Sequence, residues 1–135
     1  MSVAFSFCYE NYVSLEPYQP TRCEVEQNKR GLPIISWQST GVGPLVRQLS
    51  PADYLALQQL VVYELDFFSL PPRIDAEVVD GDWPKFTLKL HGRRHRSEGL
   101  SAGLVEPRIQ RLQDEMHALI DRYFSREERQ PTAVY

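Results

Sequence analysis

Residues 2–10 alternate strictly between two kinds of side chain, and this pattern constrains the fold more than any other part of the sequence. Val3, Phe5, Phe7 and Tyr9 are aliphatic or aromatic, whereas the residues between them are small or polar. A period of two with aromatic residues on one side is typical of a strand with one buried face. This segment is therefore predicted to be a half-buried β-strand.

Two further hairpins are predicted to extend this strand into a sheet. Residues 22–28 and 33–39 read as strands joined by an Asn-Lys-Arg-Gly turn. Residues 86–90 alternate between apolar and polar side chains, and His91-Gly92 can form a two-residue turn because glycine tolerates positive φ. The returning segment, 93–98, is almost wholly polar, which favours an edge position in the sheet.

Two helices are predicted between and after these strands. Ser50 is a suitable N-cap, Pro51 suits the first helical position, and Asp53 lies three residues beyond the cap. Pro71-Pro72 ends any helix that reaches Leu70. The apolar stripe of the first helix comprises Tyr54, Leu57, Leu60, Val61 and Leu65. The last helix runs from about Pro107 to Phe124, and its stripe comprises Ile109, Leu112, Met116, Leu119, Ile120 and Tyr123.

The order of elements is therefore strands, helix, strands, helix. This order predicts an α+β fold, in which an antiparallel sheet built from hairpins carries two helices packed on one face. The Gly-Val-Gly-Pro sequence at 41–44 is expected to end the first group of strands. With 135 residues, the chain is expected to form a single domain over 1–124, followed by a flexible C-terminal tail over 125–135.

Charge, cysteine content and the N-terminal segment indicate the class of partner, the state of the thiols and the cellular location. The formal net charge is −3, which disfavours a general polyanion-binding character but permits a local basic patch. The two cysteines, Cys8 and Cys23, do not form a disulfide framework and are expected to be reduced and partly buried. The N-terminal segment has neither a basic region nor a sustained apolar run, so we expect no signal peptide, no membrane span and a cytoplasmic location.

The sequence carries no recognisable catalytic or cofactor motif. It has no nucleophile elbow, no zinc-protease motif and no dinucleotide-binding glycine pattern. His91 and His95 flank the predicted turn and could approach one metal ion, with Asp80 and Asp82 nearby, but no third ligand has a suitable spacing. We therefore predict a protein that is not an enzyme and that has no cofactor or metal.

Charged residues are segregated along the chain. Acidic residues cluster from 64 to 82 at Glu64, Asp66, Asp75, Glu77, Asp80 and Asp82, and basic residues follow from 85 to 96. Three interpretations remain open, namely two solvated faces, a surface that steers a charged partner, and a nucleic-acid footprint, which the core-type positions of the aromatic residues disfavour. Tyr9, Tyr12 and Tyr18 suit either a small core or an interface. The candidate partner-binding residues are Lys85, Lys89, His91, Arg93, Arg94, Arg96, Tyr9 and Tyr12.

From about Leu49 to Phe124 the sequence resembles the emfourin-type family of small bacterial protease inhibitors. The resemblance lies in the helix start Leu-Ser-Pro-Ala-Asp-Tyr at 49–54, the Asp-Phe-Phe-Ser-Leu-Pro sequence at 66–71, the hairpin at 86–95 and the helix at 107–120. A related uncharacterised bacterial domain family has the same order. The resemblance implies a compact domain that blocks a thermolysin-like metalloprotease by occupying its cleft. It assigns no inhibitory contact residue to this chain.

The leading functional hypothesis is a non-enzymatic inhibitor that binds another protein, of the protease-inhibitor or immunity-protein type, with a protease or a toxin as the partner. The alternatives are a small enzyme or a ligand- or metal-binding domain with an unfamiliar site, and a structural subunit that assembles with itself. Bound zinc would favour the second of these, and sedimentation of the purified protein would reveal the third.

Overall fold

Six strands form one antiparallel sheet in the computed structural model, which describes residues 5–13, 21–79 and 81–130. In chain order the strands are β1 (Phe5–Val13), β2 (Thr21–Gln27), β3 (Pro33–Ser39), β4 (Val42–Gln48), β5 (Asp82–Leu90) and β6 (Arg93–Glu98). They are arranged β4-β3-β2-β1-β5-β6, so β1 is central and pairs with β2 on one side and β5 on the other. This architecture confirms the predicted α+β fold with a hairpin-built antiparallel sheet.

Both predicted hairpins form, and the polar strand β6 lies at the edge of the sheet as expected. The prediction that 41–44 ends the first group of strands is wrong, because β4 runs through this sequence and pairs with β3. Gly43 has φ +87, and a Cβ there would lie 2.8 Å from the carbonyl oxygen of Trp37. Proline is tolerated in β4 because an edge strand leaves one row of donors unpaired. The first part of the alternating segment, 2–4, lies outside the described residues.

The first helix, α1 (Pro51–Gln58), begins as predicted, with the Ser50 hydroxyl accepting a hydrogen bond from the Asp53 amide at 3.1 Å. It then continues as a π-helical turn, Gln59–Glu64, which the sequence pattern did not predict. The last helix, α2 (Pro107–Tyr123), buries its predicted stripe except for the half-buried Tyr123. No helix in the described part of the chain is long and apolar enough to cross a membrane.

The core lies between the two helices and one face of the sheet. Phe7 and Tyr9 of β1 each stack on Phe86 of β5, with ring centroids 5.5 and 4.8 Å apart. The hydroxyl of Tyr54 in α1 donates to the carbonyl oxygen of Phe5 at 3.1 Å, and Gln113 of α2 contacts Tyr9. Both helices therefore pack on the β1 face that carries the aromatic side chains.

The first part of the predicted tail contacts the domain. Glu128 pairs with Arg47 of β4, and Arg129 pairs with Asp121 of α2 at 2.9 Å. The backbone over 125–130 forms turns, in which the Ser125 amide donates to the Glu128 carboxylate. Residues 131–135 lie outside the described part of the chain.

Asp53 ties the start of α1 to the end of α2, and this contact predicts a pH-dependent contribution to stability. Its carboxylate accepts hydrogen bonds from the Tyr123 hydroxyl at 2.6 Å and from the Arg122 guanidinium at 2.8 Å, which lower its pKa in that order of importance. A lowered folded-state pKa stabilises the protein above the unfolded-state pKa of about 3.9, and this contribution is lost as the pH falls through the folded value.

We expect Asp53→Asn to cost about 1 kcal/mol of unfolding free energy at neutral pH and much less in acid. Urea unfolding at about pH 7 and about pH 3 measures the difference. Tyr123→Phe removes the principal donor and should show the same pH trend. An equal cost at both pH values would contradict this role for the ionised carboxylate.

Candidate protein-binding surface

The uncovered face of the sheet carries the side chains that alternate with the core. On β1 these are Ser6, Cys8, Glu10 and Tyr12, and among the described residues no helix packs against them. Cys8 lies opposite Thr87 of β5 near the middle of this face. Both side chains are buried, and the Arg22 guanidinium donates to the Cys8 sulfur at 3.3 Å.

Charges on the uncovered face are segregated by strand. The acidic half, on β1 and β2, comprises Glu10, Glu24 and Glu26 with one cation, Arg22, among them. The basic half, on β5 and β6, comprises Lys85, Lys89, Arg94 and Arg96 with one carboxylate, Glu98. Ion pairs neutralise part of each half, with Arg22 at 3.3 Å from Glu24, Lys85 at 4.0 Å from Glu10 and Arg96 at 2.8 Å from Glu98. Of the charged residues named for this face, those outside these pairs are Glu26 on β2, Lys89 on β5 and Arg94 on β6.

Lys89 and Arg94 differ from the other cations of the basic half in their lack of an ion pair in the described part of the chain. They lie directly opposite each other in the β5–β6 register, and both are exposed. Within the described residues neither has an ion-pair partner within 4.0 Å. Like charges at directly opposed positions destabilise a sheet, so this pair opposes folding.

A groove opens at the end of the sheet where these two cations lie. It has a volume of about 690 Å³ and lies between the β2–β3 turn and the β5–β6 turn, with Phe5 and Ser6 also lining it. Lys29, Arg30 and Lys89 line it as well, so the groove continues the basic half. Glu26 is the acidic residue in its lining; burial, and then the neighbouring Glu24, raise the pKa of its carboxyl.

The structure divides the predicted partner-binding residues among several places. Lys85, Lys89, Arg94 and Arg96 lie on the uncovered face, and the Tyr12 hydroxyl there donates to Glu10 at 3.3 Å. His91 occupies the β5–β6 turn with φ +51. Arg93 lies on the helix side of the sheet, where its guanidinium stacks 3.9 Å from the ring centroid of Phe68.

Tyr9 must be removed from the candidate surface. Its side chain is 0% exposed, because the odd-numbered residues of β1 face the helices, and burial raises its pKa to about 12. The alternation over 2–10 places Tyr9 on the same strand face as Phe5 and Phe7, and this face packs against the helices. Tyr18, the third member of the predicted tyrosine cluster, lies outside the described residues.

The histidines and cysteines do not converge. His95 faces the helices and its Nε2 lies 2.7 Å from the carbonyl oxygen of Leu70, whereas His91 is at the turn. Cys8 and Cys23 are free and buried on opposite faces of the sheet, and burial raises the pKa of both thiols. No group of three or more potential metal ligands occurs within 5–13, 21–79 and 81–130. Asp80, which was considered with the histidines, is outside these ranges.

The sequence patterns missed Lys29, Arg30 and the glutamates of β2 as parts of this surface. The two turns that form the groove are far apart in the chain. They meet because β1 pairs antiparallel with both β2 and β5, so the end of β2 and the end of β5 both lie beside the start of β1. The polar residues that alternate with apolar ones over 22–28 indicate side chains that point away from the core. Only the strand order shows that the β2–β3 turn lies beside the β5–β6 turn.

No protein-family model matches the chain, and no curated protein matches its sequence. The geometry of the uncovered face is therefore the basis for the functional proposal.

Proposed function

We propose that this protein is a non-enzymatic inhibitor that binds a partner protein through the basic half of its uncovered sheet face and the adjoining groove. The observation that carries the proposal is the opposed, unpaired cations Lys89 and Arg94. Their mutual repulsion costs stability in the free protein, and Glu26 is the acidic neighbour that offsets the charge of Lys89. An acidic partner would supply further counter-charge and gain binding energy from it.

The surface is large enough for such an interface. A standard interface covers about 800 Å² on each partner, which is a small share of the 8303 Å² that the chain exposes. The groove of about 690 Å³ can accept a protruding acidic segment between the two turns. Glu26 also lines the groove, so the acidic segment would lie against the part of the lining formed by Lys29, Arg30 and Lys89, and this uneven charge would set the orientation of the partner.

Nucleic acid fits this surface less well than protein does. Single-stranded nucleic acid needs aromatic side chains on which bases stack. The ring of Trp83 is already covered by the Arg73 guanidinium, 4.3 Å from its centroid, and its indole nitrogen donates to Glu98 at 3.1 Å. The neighbouring acidic half would also repel phosphates.

The resemblance to emfourin-type inhibitors supports a protease as the partner. That resemblance includes the hairpin at 86–95, whose turn exposes His91 and Gly92 beside the groove. An exposed hairpin next to a charged groove suits insertion into an enzyme cleft. The proposed target is accordingly a metalloprotease of the thermolysin type with acidic residues near its cleft.

The proposal is tested by charge reversal of the central pair. We expect the wild-type protein to inhibit peptide hydrolysis by a thermolysin-like metalloprotease, and K89E/R94E to weaken inhibition about 100-fold, because two charge-assisted contacts are lost. Inhibition constants at low and at physiological ionic strength measure both this effect and its screening by salt.

The matched control is R111E/R126E, which makes the same change in net charge at exposed positions of α2 and the following turn. It should inhibit as well as the wild type. Retention of a stoichiometric protein from host lysate, lost with K89E/R94E, would extend the result to a partner other than a protease. Absence of both inhibition and retention would refute the proposal, as would a self-associated dimer that K89E/R94E dissolves.

A further inference from the structure

The edge of the sheet at β6 leaves backbone groups open. The Glu98 backbone points outward, where its amide donates to the carbonyl oxygen of Pro72 at 3.1 Å and its carbonyl oxygen accepts from the Ile74 amide at 2.9 Å. Because the backbone groups of successive strand residues point to opposite sides, those of Arg94 and Arg96 point outward as well. Among the described residues, none forms a backbone hydrogen bond with them on that side.

The opposite edge, at β4, is protected in two ways. Pro44 has no N–H to donate, and the Arg47 guanidinium donates to the carbonyl oxygen of Val46 at 3.1 Å. Glu128 pairs with Arg47, which places the segment that follows α2 beside this strand. Proline and covering segments are means by which proteins close sheet edges. Over 94–96, β6 has neither a proline nor a segment of the described chain paired with it.

A cleft lies along this open part of β6. Its volume is about 420 Å³, and it is lined by Pro72 and by three consecutive strand residues, Arg94, His95 and Arg96. The segment that begins at Pro72 pairs with the end of β6 and therefore bounds the cleft on that side. An extended chain suits this position, because neighbouring strands lie about 4.8 Å apart and the cleft runs along the strand.

Charge complementarity favours an acidic occupant. Arg93, Arg94 and Arg96 are all exposed, and Arg96 pairs with Glu98 at 2.8 Å. Pairing of β6 with β6 of a second copy would bring these arginines close together, and like charges opposed across strands are destabilising. An acidic extended segment instead supplies carboxylates at alternate positions, on the face where Arg94 and Arg96 project.

We propose that an acidic, extended segment of the partner protein pairs with β6 as an added strand over 94–96. The open amide and carbonyl groups of Arg94 and Arg96 form main-chain hydrogen bonds with the segment, and their guanidinium groups contact its carboxylates. This inference rests on the proposed function for the acidic character of the partner. It adds a backbone contact that is independent of the Lys89 side chain.

The test uses the peptide Glu-Thr-Glu-Thr-Glu-Thr with blocked ends, titrated into the isotope-labelled protein and followed by NMR. Pairing at the edge is expected to shift the Arg94 and Arg96 amide signals saturably and to slow their exchange with solvent. The Arg93 and His95 amides, which already face β5, should change much less. Absence of saturable shifts, or an equal response from all of these amides, would overturn the proposal.

The matched peptide has the same sequence with every backbone amide N-methylated. It keeps the charge and the side chains but has no main-chain donors, so it is expected to bind about tenfold more weakly. Equal binding of the two peptides would refute edge pairing and leave attraction by the basic half intact. Absence of protease inhibition with edge pairing of the peptide retained would instead refute the proposed function alone.

Two variants at one position separate the main chain from the charge. Arg96→Ala and Arg96→Pro both remove the guanidinium, and only proline also removes the outward amide, which an edge strand tolerates. Arg96→Pro is expected to bind the unmethylated peptide about fivefold more weakly than Arg96→Ala, the effect of one hydrogen bond. The N-methylated peptide decides the question if Arg96→Pro is destabilised. A dimer that Arg96→Pro dissociates would overturn the proposal, because the occupant would be a second copy.

Discussion

Alanine at position 67 is expected to lower the free energy of unfolding by about 3–5 kcal/mol, the range for removing a fully buried phenylalanine ring. Phe67 is 0% exposed and follows the π-helical turn that ends the first helical segment. Its ring lies edge-on to Phe7 of β1, with centroids 5.5 Å apart, and at the same distance from the ring of His95 in β6. The Phe67 ring therefore packs the segment that follows the π-helical turn against strands β1 and β6.

Urea denaturation of Phe67→Ala and of the wild type measures this loss. Phe67→Leu retains most of the volume and should recover much of the stability. Tyr63→Ala is the surface control, because Tyr63 is 68% exposed and its removal should change stability by less than about 0.5 kcal/mol. A loss in Phe67→Ala no larger than that of Tyr63→Ala would show that the ring is not packed as described.

A methyl group at Gly99 is expected to destabilise the protein by about 3 kcal/mol or more, as severe overpacking does. Gly99 is buried between β6 and the segment that crosses beside it, in which the Ile74 amide donates to Glu98 at 2.9 Å and the Ala76 amide donates to Leu100 at 2.9 Å. A Cβ at Gly99 would overlap the carbonyl oxygen of Ile74. Because this obstacle is backbone, the whole segment must move to relieve it.

Gly103→Ala is the matched control, since the close contacts of its added methyl group, at 2.8 Å, are with the side-chain oxygens of Gln110 and Gln113, and the Gln110 Cα is 3.5 Å away, an ordinary van der Waals distance. Thermal unfolding should show a large loss for Gly99→Ala and a small change for Gly103→Ala. Hydrogen exchange should localise the loss to the Ile74 and Ala76 amides. An unchanged melting temperature for Gly99→Ala would mean that the crossing segment does not pack against β6.

Predictions from the sequence succeeded where the signal was local. The N-cap at Ser50 depends on a side chain and an amide three residues away, and the hairpin at 86–98 depends on a turn of two residues. Predictions from local patterns failed at β4, where Gly43 and Pro44 resemble residues that end a strand. There the pairing with Trp37 and its neighbours outweighs the low strand propensity of glycine and proline.

The candidate binding surface was predicted only in part. Four of its basic residues were identified from the charge run at 85–96, because β-strand periodicity places Lys85 and Lys89 on one face. Arg93 was assigned to the same surface but faces the helices, since adjacent residues of a strand point in opposite directions.

The sequence by itself determined the α+β class, the two helices, the two predicted hairpins and the alternation of side chains along their strands, because periodicity and capping act over a few residues. Only the tertiary structure decided that β1 is central, and that the turns carrying Lys29 and Lys89 therefore border one groove. Strand order and helix docking are set by the burial of apolar side chains from distant segments. Local periodicity does not show which of these segments come into contact.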